Sequence, residues 1–561
     1  MDWSFLLQLL VTLLVILLGA NWLLSSFLLD FKRDLTAVAL AQQSSISSVR
    51  NENETAYYRS ILVPTGFPLT TGLGLSLKYK IRNGNFGDVW NAIMEISKGK
   101  NTIRLIGDDK SHSLGELNGM AKRLFRKLSA DSYKNIGISN SIATVEGFTL
   151  TLASMMTTIK TGSIPHFLPA VPRQRVEDLD VLVIDSWRSF KMLNGSESWY
   201  KLIIVCDDPK KAPQLGTKND NVVTWKGLVD GFVYDSEFHY TPQDDNSDDK
   251  KLFAYVTSPW NGTNSFNQIC LVSNIAEFIK SFPLNNELTS SEHLSISARL
   301  ASSSASLQIW GKLFAVLLHG GSVSFTKQAT LDCKSVQEST LLFIETEQII
   351  KLMNSTSKNG LLHKIYLSWA TNLLSEGIFT KIAEVEPNSL KKLRCVYLAD
   401  YVKDAEIIST FSEKIPQLKK INQRTTPSTE QLNKLRAQLG SRVVLELYCP
   451  YLIMGPVAHT NFYDYRVFEK SLDDSVVCYG PLGTTLEGKM VETETNPLLN
   501  VEKRQGMLCI RGFNIGKPTD PDRLKQAMNL AEKFGGGEGW MPLVNVFGLW
   551  GQDGCLYTYN Q

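Results

Sequence analysis

Charge imbalance is nearly absent from this chain: 58 Lys and Arg against 56 Asp and Glu leave a formal net charge of +2 over 561 residues. Without a basic stripe interleaved with aromatics, nucleic-acid binding has no electrostatic footprint. Metal chemistry lacks its ligands. The seven histidines, at 112, 166, 239, 293, 319, 363 and 459, share no metal-ligand spacing, and the eight cysteines include no Cys-x-x-Cys. Most cysteines sit singly in apolar runs, as in Ile-Ile-Val-Cys206 and Leu-Cys509-Ile, which reads as small buried core residues in a reducing compartment. No Gly-x-Ser-x-Gly surrounds Ser258, so it is no nucleophile elbow.

What is present is an ordinary globular composition, 43% hydrophobic and 20% charged, behind one long apolar run. The length sets an expectation of two to four domains, or one large α/β body with a smaller one. Residues 5–29 contain no charge. At about 1.5 Å per residue such a helix exceeds a ~30 Å hydrocarbon core and can span it with tilt. The rival is a cleaved signal peptide, cut near Gly19-Ala20. Asp2 in place of a basic start, and apolarity continuing to Leu29, argue against it. Lys32 and Arg33 follow the run, so a retained single-pass anchor has its basic flank, and the bulk of the chain, in the cytosol. Asn-x-Ser/Thr sequons at Asn53, Asn194, Asn261 and Asn354 would suit a lumen, but a chain this long yields such matches by chance. Residues 31–84 read as a tether and N-terminal arm, polar between 35 and 60.

Near-continuous apolar strands then alternate with helices. A capping box, Ser113-Leu-Gly-Glu116, opens a helix whose apolar face is Leu114, Leu117, Ala121, Leu124 and Leu128. Strands are expected at 135–138, 163–168, 181–184, 201–206, 252–256, 323–325, 393–398 and 443–447. Helices are expected near 145–159, 273–282, 304–318, 345–353 and 360–375. This alternation implies a mostly parallel sheet covered on both faces. Asp180 and Asp185 read as a solvated strand edge, Tyr240 to Lys251 as a solvated acidic loop without metal-ligand spacing, and Lys414 to Gln431 as a polar connection. Glycines at 480, 483, 488, 506 and 512 punctuate a smaller antiparallel block, and Val544 to Gln561 reads as a closing hairpin turning at Gln552-Asp-Gly554.

The stretch that organises the rest is Ala254 to Phe266. A buried strand ends in Thr257-Ser258 and opens into a small-residue loop containing Gly262. Loops built this way often hold nucleotide phosphates, because backbone N–H groups point at them. Here Pro259 has no N–H, Trp260 is bulky where a phosphate needs room, and no lysine lies between Lys251 and Lys280.

Six segments occur in a telling order: Ser113-Leu-Gly-Glu-Leu-Asn118 with Ala121-Lys-Arg-Leu124; Ile159-Lys-Thr-Gly-Ser-Ile-Pro165; Tyr255-Val-Thr-Ser-Pro-Trp-Asn-Gly262; Tyr479-Gly-Pro-Leu-Gly483; Gln505-Gly-Met-Leu-Cys-Ile-Arg-Gly512; and Gly539-Trp540 through Asp553-Gly-Cys-Leu-Tyr557. Together they resemble the successive motifs of the adenylate-forming (AMP-binding) superfamily, the acyl-CoA synthetases, adenylation domains and luciferases. The resemblance runs from about residue 85 to the end and covers the family's large N-terminal domain. It implies an α/β fold of mostly parallel sheets covered by helices over 85–475 and a β-rich subdomain over 476–561, with the transmembrane helix read from the apolar run (1–30) in front. The family's C-terminal lid domain, with its adenylation lysine, is expected to be absent.

The resemblance also implies which positions would meet ATP and Mg²⁺, and there the sequence departs. In the loop Thr257-Ser258-Pro259-Trp260 to Gly262, the family's first glycine falls on Pro259 and its lysine on Ser265. The aromatic-Gly-x-Thr-Glu motif falls on Tyr448 to Leu452, which keeps the aromatic and loses both polar ligands. The ribose-binding aspartate falls on Asn545 and the basic residue after the last strand on Gln561. Each lost charge-assisted hydrogen bond is worth about 1.5–3 kcal/mol, enough in sum to remove a micromolar nucleotide site. The expectation is a pseudoenzyme with no catalytic residues, no cofactor and no metal, in which Trp260 fills the phosphate space. It would be a membrane-anchored, cytosol-facing binding or scaffolding protein of lipid metabolism, most simply at the endoplasmic reticulum, with a protein partner and an acyl lipid or acyl-CoA as candidate ligands and no nucleic acid. The alternatives are a divergent acyl-activating ligase completed by a partner, and an acyl-lipid binding module.

Overall fold

Strands buried on both faces need helices on each side, and parallel neighbours need a crossover long enough to hold one. The computed structural model meets both demands twice. It describes residues 3–23, 32–77, 80–107, 110–212, 220–259, 262–304, 306–326, 336–356, 360–385, 390–402, 426–494, 498–535 and 539–559. One 8-stranded sheet runs Val222–Thr224, Leu202–Val205, Leu179–Ile184, Asn135–Ile138, Ile164–Phe167 and Leu252–Thr257 in parallel, then adds Thr263–Asn267 and Lys517–Pro518 antiparallel. The second 8-stranded sheet has a parallel run of Arg442–Tyr448, Cys395–Tyr401, Leu341–Glu345, His293–Ser297, Ser322–Thr326 and Thr102–Arg104. Pro456–His459 and Ser111–Ser113 flank it antiparallel. The largest core lies where both sheets meet the helices Phe86–Ser97, Leu114–Ala130, Val145–Lys160, Gln268–Lys280 and Trp310–Leu318.

A 7-stranded antiparallel sheet completes the body, in the order Ser44–Ile46, Tyr58–Ser60, Leu486–Val491, Gln505–Gly512, Met541–Trp550, Leu556–Tyr559, Val476–Gly480. The closing hairpin stands where the sequence puts it. The arm does not behave as a tether. Two of its segments are strands of this sheet, Tyr58 stacks on Trp550 with ring centroids 4.4 Å apart, and Glu54 forms an ion pair with the buried Lys489. Its polar composition concealed single inward residues such as Tyr58, which suffice for a short strand.

Local capping explains the other differences. The helix expected near 273–282 begins at Gln268, because the Asn267 side chain accepts from Cys270 N. The polar connection ends in a helix, Thr429–Leu439, started by a Ser428/Gln431 capping box; its residues 414–425 lie outside the described residues. The acidic loop is not solvated throughout. Asp248 and Asp249 are buried, Asp249 paired with Arg82 and accepting from Gly84 N at 3.0 Å, so the loop's end staples the first core helix. At the N-terminus, Trp3–Leu23 is 21 residues long with a mean hydropathy of 2.3, long and apolar enough to cross a membrane.

Candidate functional site

The loop after Leu252–Thr257 is closed by its own backbone. Ser258 N donates to Gly262 O at 2.9 Å, which uses the one donor that precedes Pro259. Pro259 is exposed and offers none. Thr257 is tied below the loop, its Oγ1 lying 2.9 Å from Thr263 Oγ1 and 2.7 Å from His166 Nε2. Burial pushes the His166 imidazole down to about 4, so at neutral pH it acts as an uncharged partner of that hydroxyl. Gly262 takes a φ of +72°, a left-handed conformation suited to glycine. Trp260 lies outside the described residues.

A group that sequence reading missed covers Gly262. Arg523, in the first turn of Pro521–Gly535, would stand 2.5 Å from a Cβ at 262, and its Nη1 donates to Thr263 O at 3.3 Å. Thr519 N donates to the same carbonyl at 3.0 Å. Burial depresses the Arg523 guanidinium from its usual range, with Asp520 opposing. No local signal links positions so far apart in sequence. The strand pairing Ser265↔Lys517 is what brings them together, and Ser265 Oγ also donates to Lys517 O at 3.0 Å.

Tyr448 and Leu452 face the interior. Tyr448 is fully buried and its hydroxyl donates to Glu446 Oε2 at 2.8 Å. Leu452 is 1% exposed in an apolar cluster, with its carbonyl accepting from Gly516 N at 2.7 Å. An apolar side chain therefore stands where the resemblance places a magnesium ligand. Asn545 lies within Met541–Trp550, in the stretch where pairing with Gln505–Gly512 shifts register. Among the described residues of the loop, Pro259 offers no N–H and no lysine is present to meet a phosphate.

Behind the loop, the helices Gln268–Lys280 and Trp310–Leu318 carry a buried polar cluster. Lys312 Nζ donates to Glu446 Oε1 at 2.8 Å and to Tyr448 Oη at 3.1 Å. Rings of Phe278, Phe343 and Tyr397 surround the ammonium with centroids 4.7, 4.8 and 5.0 Å away. Glu277, one helix over, accepts from Thr485 Oγ1 at 2.6 Å, and burial pushes its carboxyl up to about 8. Among the described residues no group of three His, Cys, Asp or Glu side chains is arranged to hold a metal ion.

No family model matches the chain. Over 561 residues, covering 100% of both chains, it is 80% identical to the uncharacterized protein YHR045W of Saccharomyces cerevisiae. The chain belongs to that protein's family. In three dimensions it is similar to the crystal structure of IdnL7, at 14% identity and a TM-score of 0.53 over 85% of this chain and 80% of that one. It is similar also to the luciferase-like enzyme of the nonluminescent mealworm Zophobas morio (14% identity, TM-score 0.52, 88% and 98% covered). The N-terminal domain of FACL13 from Mycobacterium tuberculosis matches at 11% identity and a TM-score of 0.51, with 85% and 100% covered. Identities this low speak to fold alone. The fold is that of the large N-terminal domain of adenylate-forming enzymes, as the six sequence segments imply.

Proposed function

We propose that this protein carries an acyl-activating-ligase-like fold that no longer activates a carboxylate. It works as a membrane-anchored binding or scaffolding partner in lipid metabolism, its body on the cytosolic face of the endoplasmic reticulum. The observation that carries this reading is the loop after Leu252–Thr257. Its Ser258 N–H is spent on Gly262 O, Pro259 supplies no donor, and Arg523 lies against Gly262. Leu452 supports it by offering no oxygen to a metal. The apolar helix Trp3–Leu23 supports the anchor, and the Lys32-Arg33 flank supports the orientation.

Arg523 also favours a second reading. It brings a cation to the loop that lacks its lysine, as a divergent ligase would require. ATP–pyrophosphate exchange by the detergent-solubilised full chain, with a panel of fatty acids, separates the two. The expected result is no exchange and no saturable ATP–Mg²⁺ binding, by the wild type or by Ser265→Lys, since groups acting as a unit are not restored one at a time. Exchange lost on changing Arg523→Ala or Thr257→Ala would sink the inactive reading in favour of the ligase.

A further inference from the structure

Helix Leu361–Ser375 is turned three ways. Ala370 and Leu374 are buried with Ala437 and Tyr465, and Lys364 and Thr371 line a groove towards Glu430. The third face carries Leu361, Leu362, Ile365, Tyr366 and Trp369, which are 75, 68, 55, 42 and 53% exposed. Their spacing sets all five on one stripe of the helix. A contiguous apolar stripe beside a polar face is the pattern of a helix lying at a membrane surface.

The chain's own contacts place its N-terminal segment at the end of this helix. Immediately beyond the helix, Asp34 N donates to Gly377 O at 3.0 Å, Arg33 bridges to Ile378, and Arg33 Nη2 lies 3.5 Å from Glu376. Asp34 is held in turn by Arg442 at 2.9 Å and Tyr465 Oη at 2.6 Å. The polypeptide arriving from Trp3–Leu23 is thus pinned to the C-terminal end of this helix. The helix has 15 residues, so its whole stripe lies within about 24 Å of the pin at Gly377. The chain from Leu23 to Lys32 reaches at most about 32 Å.

We propose that this face lies in the headgroup region of the bilayer that Trp3–Leu23 crosses, a second lipid contact that sets the body's orientation on the membrane. Trp369 and Tyr366 suit the boundary between headgroups and acyl chains, and the leucines and Ile365 suit the layer beneath. The inference rests on the anchor reading.

The test uses the full chain in phosphatidylcholine–phosphatidylserine vesicles containing doxyl-labelled lipid, with an environment-sensitive fluorophore on Ile365→Cys or on Lys364→Cys and the labelled wild type as blank. Quenching at 365 should exceed that at 364 by threefold or more. Equal, weak quenching at both sites in a chain that resists alkaline extraction would overturn the interfacial helix while leaving the anchor intact. A label at 365 shielded from aqueous iodide yet untouched by doxyl lipid would assign the face to a protein surface and overturn it as well. Release of the chain by alkaline carbonate would remove the anchor and this inference together.

Discussion

A methyl group at residue 483 would overlap an oxygen of Glu277, the oxygen that accepts no hydrogen bond among the described residues. The glycine in Tyr479-Gly-Pro-Leu-Gly483 is therefore fixed by a carboxyl on another element, not by its own turn. Gly483→Ala should lower stability by about 1–3 kcal/mol in denaturant titration, the cost of overpacking a site with no slack. The same carboxyl makes stability depend on pH. Burial raises it to about 8, whereas an unfolded glutamate titrates near about 4.3. The folded state keeps a proton that the unfolded chain gives up. The contribution is thus complete below the unfolded value and is lost as pH rises towards 8, by at most about 1.4 kcal/mol per pH unit. Glu277→Gln carries no such proton, so it should gain on the wild type between pH 5 and pH 8. A stability difference that stays flat over that range would show Glu277 to be ionised in the folded protein.

Elements with repeated apolar spacing were legible in the sequence, and elements held by one or two residues were not. Leu114, Leu117, Ala121, Leu124 and Leu128 mark a face five times over, and the helix runs Leu114–Ala130 behind its Ser113/Glu116 box. Ser428/Gln431 is the same device, hidden because Pro427 and a polar run precede it. The arm was missed for a related reason, since its strands are three residues each and Tyr58–Ser60 joins the sheet through Leu486–Val491, late in the chain. As a tether the arm would tolerate Tyr58→Ala without loss. As a strand whose ring stacks on Trp550 it should lose about 3 kcal/mol, the usual cost of emptying a buried aromatic site. Arg523 was out of reach because only the pairing of Ser265 with Lys517 brings its helix over Gly262. The loop itself was readable in composition but not in closure. No pattern of residues announces that Ser258 N turns back to Gly262 O.

At the scale of the whole molecule, the order of six weak segments carried the fold while the atoms of the site had to be seen. The placement of the body is checked with sealed microsomes. Added protease should digest it, and Asn194, exposed on the surface, should carry no glycan. Protection of the body, or a glycan at Asn194, would reverse the topology. Arg59 and Glu487, ion-paired on adjacent strands, stand 428 residues apart. At about 5–20 residues per second the ribosome needs roughly 20–90 s to supply the partner. Until then the strand Tyr58–Ser60 lacks its partner, and its edge is unpaired. Nascent chains that stop before Leu486 leave that edge open, where a chaperone or another nascent arm competes for it. Synthesis of the last sheet strands, and not emergence of the arm, is then the event that locks the arm into the body.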